Sequence, residues 1–355
     1  MAELPLIKEE KGLLKGVISP QEARYYKKLS DGGVHCLLCH HQCKIPKEEA
    51  GFCKVRRNVK GILYTEAFSN PCAVYTQPIE EEPFYHFLPG SMALYIATAG
   101  CNFRCKFCQN WLISQFVPNQ TMNYYREPED ILELARLNGC SAINYTYTEP
   151  TIFFEYILEV AELAKKAGIK NICHSNGYMS EDPLLHICRY LDAICIDLKS
   201  FKKDFYKKIC KADLDVVLNN LKIIKEQRIH LEIVTLVIPS INDDLEIIRS
   251  MCDWIVNNLS PDIPLHFLQF HPRYELEDLD VTSIDILEKA RDIAISSGIN
   301  FSYISNILTY PNRDTFCPRC KKSLIIRKGY IIEENNIVNG YCRFCGMKTP
   351  GYWGS

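Results

Sequence analysis

The stretch Thr98-Ala-Gly-Cys-Asn-Phe-Arg-Cys-Lys-Phe-Cys-Gln-Asn-Trp111 decides how this chain is interpreted. Its three cysteines, Cys101, Cys105 and Cys108, follow the pattern C-x3-C-x2-C, without a fourth cysteine close by. We call them the central cysteine set. A closed zinc site normally has four ligands, and an electron-transfer 4Fe-4S cluster is normally held by four thiolates. Three thiolates on a cubane leave one iron open, although a zinc knuckle or a chance grouping remains the alternative.

The quoted stretch directly follows the first of seven predicted strands. Each predicted strand is short, rich in Ile, Val, Tyr or Thr, and flanked by breakers; they cover residues 94–99, 142–147, 171–175, 193–198, 230–238, 264–270 and 301–307. Helical patterns lie between them, for example over 128–137 and 150–167. Regular alternation of strand and helix predicts a parallel sheet. We therefore expect an α/β fold, a partial (β/α)6-type barrel with its chemistry at the carboxyl ends of the strands.

An open iron at a strand end has a specific chemical use. It can chelate the amino and carboxylate groups of S-adenosylmethionine (SAM), and an electron from the cluster then breaks a C–S bond and leaves a 5′-deoxyadenosyl radical. The cofactor carries out the hard step while the protein positions it. Phe107, just before the last cysteine, is expected to lie close to the adenine.

The sequence resembles the radical SAM enzymes, in particular the branch like pyruvate formate-lyase activating enzyme. It is closer still to the radical SAM component of the AmmeMemoRadiSam system. The resemblance spans about residues 36 to 345. The matching stretches besides the central motif are Pro78-Ile-Glu80, Tyr85-His-Phe-Leu-Pro-Gly-Ser91, Cys108-Gln-Asn-Trp-Leu-Ile-Ser114, Tyr145-Thr-Tyr-Thr-Glu-Pro-Thr151, Ser175-Asn-Gly-Tyr178, Asp197-Leu-Lys-Ser200 and Phe270-His-Pro272.

The resemblance implies a set of SAM contacts, each at the end of a predicted strand. Glu149 occupies the place where relatives hold the SAM amino group with a Gly-Gly-Glu segment, although both glycines are absent here; a helix cap is the alternative. Ser175 and Asn176 match a segment that touches the ribose, whereas Asn176 could instead serve a turn with Gly177. Two further matches face SAM in the activase branch: the pair Asp197 and Lys199, which could instead form a structural ion pair, and His271, which could be structural.

Two further groups of cysteines flank the predicted barrel. The N-terminal cysteine set is Cys36, Cys39, Cys43 and Cys53, and it predicts either zinc or a second iron–sulfur cluster, with His35, His40 and His41 as possible substitute ligands. The C-terminal cysteine set is Cys317, Cys320, Cys342 and Cys345, whose paired C-x2-C spacing predicts a zinc ribbon holding zinc or rubredoxin-like iron. Residues 323–338 between its halves read as two short strands. The other cysteines are interpreted as small core residues: Cys72, Cys140, Cys173, Cys188, Cys195, Cys210 and Cys252.

Composition sets the wider frame for these sites. The chain has 355 residues and a formal net charge of -2, so its overall charge gives no reason to expect nucleic acid as a partner. Residues 1–11 show no secretory signal, and no apolar run is long enough to cross a membrane. We therefore expect a cytoplasmic protein of three regions: a cysteine-rich segment over 1–90, the barrel over 91–308 and the ribbon-like module over 309–355.

Three functions compete at this point. The leading one is a radical SAM enzyme that abstracts hydrogen from an unidentified substrate, using a reductant such as flavodoxin or ferredoxin and AmmeMemoRadiSam partner proteins. We favour that system because its N- and C-terminal modules are present. The second is a glycyl-radical-enzyme activase. The third, from another class, is a non-catalytic metal-rich protein that binds RNA or protein.

Overall fold

The computed structural model describes residues 13–16, 19–310 and 313–354. The prediction about a secretory signal concerns residues outside these ranges. Two compact units make up the fold. The first contains the described residues up to Gln77 together with Met92–Asp192, and the second contains Pro78–Ser91 and the described part of Ala193–Ser355.

The described residues of the first unit form twelve strands and four helices. The strands are β1 (Leu13–Lys15), β2 (Gln21–Glu22), β3 (Tyr26–Lys28), β4 (Val34–Cys36), β5 (Lys44–Ile45), β6 (Arg56–Val59), β7 (Ile62–Thr65), β8 (Pro71–Pro78, whose last residue begins the second unit), β9 (Met92–Thr98), β10 (Met122–Tyr124), β11 (Ala142–Tyr145) and β12 (Lys170–Ser175). The helices are α1 (Trp111–Ser114), α2 (Pro128–Leu137), α3 (Phe154–Lys166) and α4 (Glu181–Ile187), with 3-10 turns at Pro118–Gln120 and Pro150–Phe153.

The main sheet of this unit has the order β8-β9-β11-β12. Strand β11 pairs in parallel with both β9 and β12, so that Ala142 lies opposite Ala93 on one side and Lys170 on the other. All four residues of β11 are buried, as expected for a parallel strand covered on both faces. The parallel register brings the ends of β9, β11 and β12 to one edge, where the central cysteine set begins.

The second unit repeats the alternation of strand and helix. Its strands are β13 (Ala193–Asp197), β14 (His230–Val237), β15 (Leu265–Gln269), β16 (Ser302–Ile304), β17 (Thr315–Phe316), β18 (Ser323–Lys328), β19 (Ile331–Asn335), β20 (Ile337–Val338) and β21 (Tyr341–Cys342). Its helices are α5 (Lys203–Phe205, continued by a π turn over Tyr206–Cys210), α6 (Leu214–Glu226), α7 (Leu245–Asn258) and α8 (Ile284–Ser296). Strands β13 to β16 lie in chain order and pair in parallel.

A buried carboxylate organises the interior of the second unit. Glu232 on β14 accepts hydrogen bonds from the backbone amides of Tyr85 and His86 and bonds His266 on β15 at 2.7 Å. Burial would disfavour the charged carboxylate, but the hydrogen bonds from His230 and His266 outweigh it, so the pKa of Glu232 is well below its ordinary value. The loop around Tyr85 is thereby fixed to the strands, and the carboxylate is fully satisfied.

The α/β class with a parallel-strand sheet is confirmed, and all seven predicted strands are present with slightly different ends. Closure into a partial barrel and the three regions with boundaries at 90 and 308 stay predictions. The predicted helix over 150–167 differs in its first turn, because Pro150–Phe153 forms a 3-10 turn before α3 begins. Within the described chain, no helix has the length and apolar character that crossing a membrane requires.

The N-terminal segment is more ordered than its weak periodicity predicts. Strands β2, β7 and β6 form one small antiparallel sheet, and β3, β4 and β5 form another. Strand β8 was also missed. It lies at the end of the sheet order and has proline at both ends, which an edge strand tolerates.

One buried ion pair anchors this segment. The Arg56 guanidinium on β6 contacts both carboxylate oxygens of Glu155 on α3, at 2.5 and 2.6 Å, and both side chains are 2% exposed. Glu155 also accepts from the Arg24 backbone amide at 2.7 Å. Removing one partner of such a pair leaves an uncompensated buried charge.

We therefore expect Arg56→Met to lower the free energy of unfolding by about 3–5 kcal/mol. The double variant Arg56→Met/Glu155→Gln should recover much of that loss. It removes the unpaired carboxylate charge, and the side-chain oxygen of the glutamine can still accept the hydrogen bond from the Arg24 backbone amide. Urea denaturation under anaerobic conditions measures both. A double variant no more stable than Arg56→Met would contradict this interpretation.

Candidate radical SAM site

The central cysteine set occupies the loop that leaves β9. Cys101 and Cys105 are buried, each 7% exposed, and Cys108 is half-buried. The Phe103 backbone amide donates to Cys101 Sγ at 3.3 Å. Cys108 Sγ lies 3.0 Å from Ser114 Oγ at the end of α1. Hydrogen bonds of this kind stabilise a thiolate, which is the form that binds a metal.

Hydrogen bonds to α1 and to the segment after β11 hold the cysteine loop in place. Gly100 donates its amide to the Ile113 carbonyl at 2.9 Å, and Thr148 Oγ1 donates to the Thr98 carbonyl at 2.8 Å. Asn110 Nδ2 donates to the Tyr147 carbonyl at 2.8 Å. The segment after β11 thus supports the cysteine loop directly.

Tyr147 has the backbone conformation that glycine would favour at this position. It adopts a φ of 62°, in the left-handed region that glycine favours. It stands at the first of the two positions where the resembling segment carries glycine. A bulky residue in that conformation is strained, and such strain is found at functional sites.

Glu149 is the most highly connected carboxylate of the first unit. It is fully buried and caps the 3-10 turn that begins at Pro150, accepting from the Thr151 amide at 3.0 Å. Its Oε1 also accepts from Thr151 Oγ1 and from Ser175 Oγ, at 2.5 and 2.8 Å, while Oε2 accepts from the Asn176 amide at 2.9 Å. Burial raises the pKa of Glu149, and these hydrogen bonds act in the opposite direction. Oε2 therefore retains capacity for a second donor.

Glu149 and the cysteine loop are electrostatic neighbours. Burial raises the pKa of Cys101 well above its ordinary value, and the negative charges of Glu149, Cys105 and Cys108 raise it further. The same structure brings Ser175 and Asn176 to this edge through their bonds to Glu149. The predicted residues of the first unit are thus brought together at one edge, and Phe107 lies buried in the same loop at 6% exposure.

Asn102 is a further candidate site residue, which the sequence patterns do not indicate. Its Oδ1 accepts from Asn176 Nδ2 at 2.7 Å, whereas its Nδ2, considered among the described residues, is buried without a hydrogen-bond partner. A buried orphan donor directly after Cys101 fits a site whose bound group supplies the acceptor. Its place beside the first cysteine was the only available signal. Asn176 Oδ1 meanwhile accepts from the Tyr178 amide at 3.1 Å, so its side chain also shapes the predicted turn.

The remaining predicted contacts belong to the second unit. Lys199 Nζ donates to Asp197 Oδ2 at 2.7 Å at the end of β13, and the Lys199 amide donates to Tyr206 Oη at 3.0 Å. The ion pair that the sequence left as an alternative is therefore present. His271, after β15, is exposed.

The four sulfurs of the C-terminal cysteine set lie close together. Cys317 Sγ and Cys345 Sγ are 3.6 Å apart, and Cys320 Sγ and Cys342 Sγ are 3.8 Å apart. A tetrahedral metal with metal–sulfur bonds of about 2.3 Å places its sulfurs about 3.8 Å apart. Each C-x2-C pair is followed by a residue with positive φ, Lys321 at 59° and Gly346 at 69°. The four thiols are thus arranged for one tetrahedral metal ion.

Comparison with known proteins identifies the family. A model described as the Radical SAM superfamily matches residues 95–251. An uncharacterised protein of Methanocaldococcus jannaschii is 38% identical over 332 residues, which is 92% of this chain and 98% of that protein. The chain belongs to the radical SAM superfamily. Membership implies a 4Fe-4S cluster and SAM, and the thiols, the amide-to-sulfur bond and the orphan donor of the cysteine loop fit that cluster.

Two other relatives carry the names of known enzymes. The (2S)-3-sulfopropanediol dehydratase activating enzyme of Klebsiella oxytoca is 25% identical over 166 residues, 46% of this chain and 51% of that enzyme. The pyruvate formate-lyase-activating enzyme of Clostridium pasteurianum is 22% identical over 193 residues, 53% of this chain and 80% of that enzyme. The homology to activating enzymes of this type is thereby shown, at low identity.

The C-terminal set yields a direct prediction. The purified chain should contain one tightly held metal ion per C-terminal set, and Cys320→Ser should lose it, because three thiolates no longer close the tetrahedron. Elemental analysis measures the loss, and limited proteolysis should then cut within residues 313–354. Cys72→Ser, at a half-buried cysteine outside all three sets, is the control. Unchanged metal content in Cys320→Ser would refute the site.

Proposed function

We propose that the chain is a radical SAM enzyme in which Cys101, Cys105 and Cys108 hold the 4Fe-4S cluster. When bound, the cluster supplies reductive cleavage of SAM to the 5′-deoxyadenosyl radical, which abstracts hydrogen from the substrate. The observation that carries the proposal is the cysteine loop at the end of β9, with Glu149 as its charged neighbour. The non-catalytic alternative gives no reason for a buried carboxylate beside three thiols at a sheet edge.

The residues around the loop have separate tasks in this proposal. Glu149 offers Oε2 as an acceptor for the SAM ammonium, since Oε1 already accepts three hydrogen bonds. Ser175 holds Glu149 in position, and Phe107 supplies an apolar surface for the adenine. The ion pair of Asp197 and Lys199 and the exposed His271 remain proposed SAM contacts on the resemblance alone.

Two candidate functions differ in their substrate. Membership of the AmmeMemoRadiSam system, with two partner proteins and a small-molecule substrate, rests on the sequence resemblance. A glycyl-radical activase is the second candidate, favoured by the names of the two activating enzymes above. An activase leaves a persistent glycyl radical on its partner protein, visible by electron paramagnetic resonance (EPR), whereas a small-molecule enzyme does not. The C-terminal set is proposed to bind zinc or rubredoxin-like iron, because its sulfur spacing matches one tetrahedral metal ion.

The first test of the proposal is cleavage of SAM. Anaerobically reconstituted protein, reduced with dithionite, should form 5′-deoxyadenosine, and Cys105→Ala should form none because its cluster lacks a ligand. Cys72→Ala is the control for loss of a cysteine outside the cysteine sets. Chromatographic quantification of the nucleoside measures all three. Equal amounts from wild type and Cys105→Ala would contradict the assignment.

A second test asks whether Glu149 binds SAM or only caps the 3-10 turn that begins at Pro150. Glu149→Gln keeps an acceptor for the cap but loses the charge, so SAM affinity should fall roughly 10- to 100-fold, the range for losing a charged hydrogen bond. Equilibrium dialysis with labelled SAM measures the affinity, and Glu162→Gln, at an exposed carboxylate, is the matched control. Reduced stability with unchanged SAM affinity would assign Glu149 to capping alone.

A further inference from the structure

The N-terminal cysteine set surrounds a space of its own. All four of its cysteines line one cavity in the first unit. The other lining residues are mostly apolar, including Leu38, Ile45 and Ile152, with the guanidinium-bearing Arg56 among them. Four thiols that face one mostly apolar cavity form a set of ligands that a metal centre can use.

Each of these four sulfurs accepts a hydrogen bond from a backbone amide. The amides of Leu38, His41 and Val55 bond the sulfurs of Cys36, Cys39 and Cys53 respectively. The Phe52 amide donates to Cys43 Sγ at 3.5 Å. The same type of bond reaches Cys101 in the central set. Hydrogen bonds from amides to sulfur tune the potential of an iron–sulfur centre.

The spacing of the sulfurs separates zinc from iron–sulfur. The four sulfurs of the C-terminal set all lie within 4.8 Å of one another, and among the described residues no other cluster of three or more possible metal ligands is as close. Neither the N-terminal set nor the central set is drawn together in this way. A single zinc ion requires sulfurs about 3.8 Å apart, whereas in a cubane each thiolate binds a different iron and the sulfurs lie further apart. The N-terminal set thus resembles the central set and differs from the C-terminal one.

The N-terminal set also lies against the central loop. Gly100, just before Cys101, has a φ of +92°, and a Cβ there would come within 2.7 Å of the Cys53 carbonyl oxygen. Arg104 donates to the Phe52 carbonyl and stacks on the Phe52 ring at 4.2 Å. His41 Nε2 donates to the Asn102 carbonyl at 2.6 Å. Segments carrying the two cysteine sets are therefore in direct contact.

We propose that the N-terminal cysteine set binds a second 4Fe-4S cluster, which passes single electrons to the cluster on the central set. The binding of the second cluster stands on its own, whereas the electron transfer rests on the proposed function. A one-electron donor such as reduced flavodoxin or dithionite reduces the second cluster. The electron then moves to the central cluster and leaves the second one oxidised for the next cycle. No bond forms or breaks in the protein, and the short path through residues 52–53 and 100–104 favours fast transfer.

The first test counts iron in a variant that lacks the central site. Cys101→Ala/Cys105→Ala/Cys108→Ala, reconstituted anaerobically, should still bind about four irons and four sulfides per chain. After reduction it should give an EPR signal that SAM does not alter. The reciprocal variant Cys39→Ala/Cys53→Ala should bind about half the iron of the wild type, and Cys72→Ala should bind as much as the wild type. A triple variant with no iron, but with one zinc ion in addition to that of the C-terminal set, would overturn the proposal.

The second test concerns the contact between the clusters. The EPR spectrum of fully reduced wild-type protein should be broadened relative to the sum of the two variant spectra, because neighbouring paramagnets interact. A spectrum equal to the sum would overturn the electron transfer. Failure of SAM cleavage in wild type carrying both clusters would count against the proposed function alone. Iron in the triple variant decides the second cluster whatever the reaction is.

Discussion

The buried carboxylate of Glu149 is the constraint on which the candidate site depends. It joins the 3-10 turn after β11 to the end of β12 through Thr151, Ser175 and Asn176. A carboxyl group is costly to bury unless its oxygens are hydrogen-bonded, so these neighbours are held in one arrangement. Asn176 in turn donates to Asn102 in the cysteine loop. One buried carboxyl group thus joins two strand ends and, through Asn176, the residue beside Cys101.

The cysteines lie in three kinds of environment that sequence spacing only partly separates. The C-terminal set is drawn in to 3.6–3.8 Å between paired sulfurs, which suits one tetrahedral ion. The central and N-terminal sets stay wider, with amides donating to their sulfurs. Of the cysteines outside the sets, all but the half-buried Cys72 are buried, which confirms their interpretation as core residues in every case except that one. Sulfur separation and amide donors are therefore more informative than the count of residues between cysteines.

The parts of the structure that could be predicted from sequence depend on local patterns. The seven strands follow from short β-branched runs between helical patterns, and helix α2 begins at Pro128 as its proline and acidic first turn predict. The ion pair of Arg56 and Glu155 joins residues far apart in the chain, and no periodicity encodes such a pairing. The same holds for His41 on the Asn102 carbonyl. Glu149 was recognised from its motif, but its bonds to Ser175 and Asn176 required the parallel register of β11 and β12.

The measurement that tests the central claim most directly is whether SAM binds the iron of the central cluster. Electron-nuclear double resonance on the reduced Cys39→Ala/Cys53→Ala variant, with SAM labelled by ¹⁵N at the amino group and ¹⁷O at the carboxylate, reports coordination at that cluster alone. The account predicts hyperfine coupling from both labels, because three thiolates leave one iron open to both groups. A reduced cluster with SAM bound nearby but without coupling from either label would contradict it.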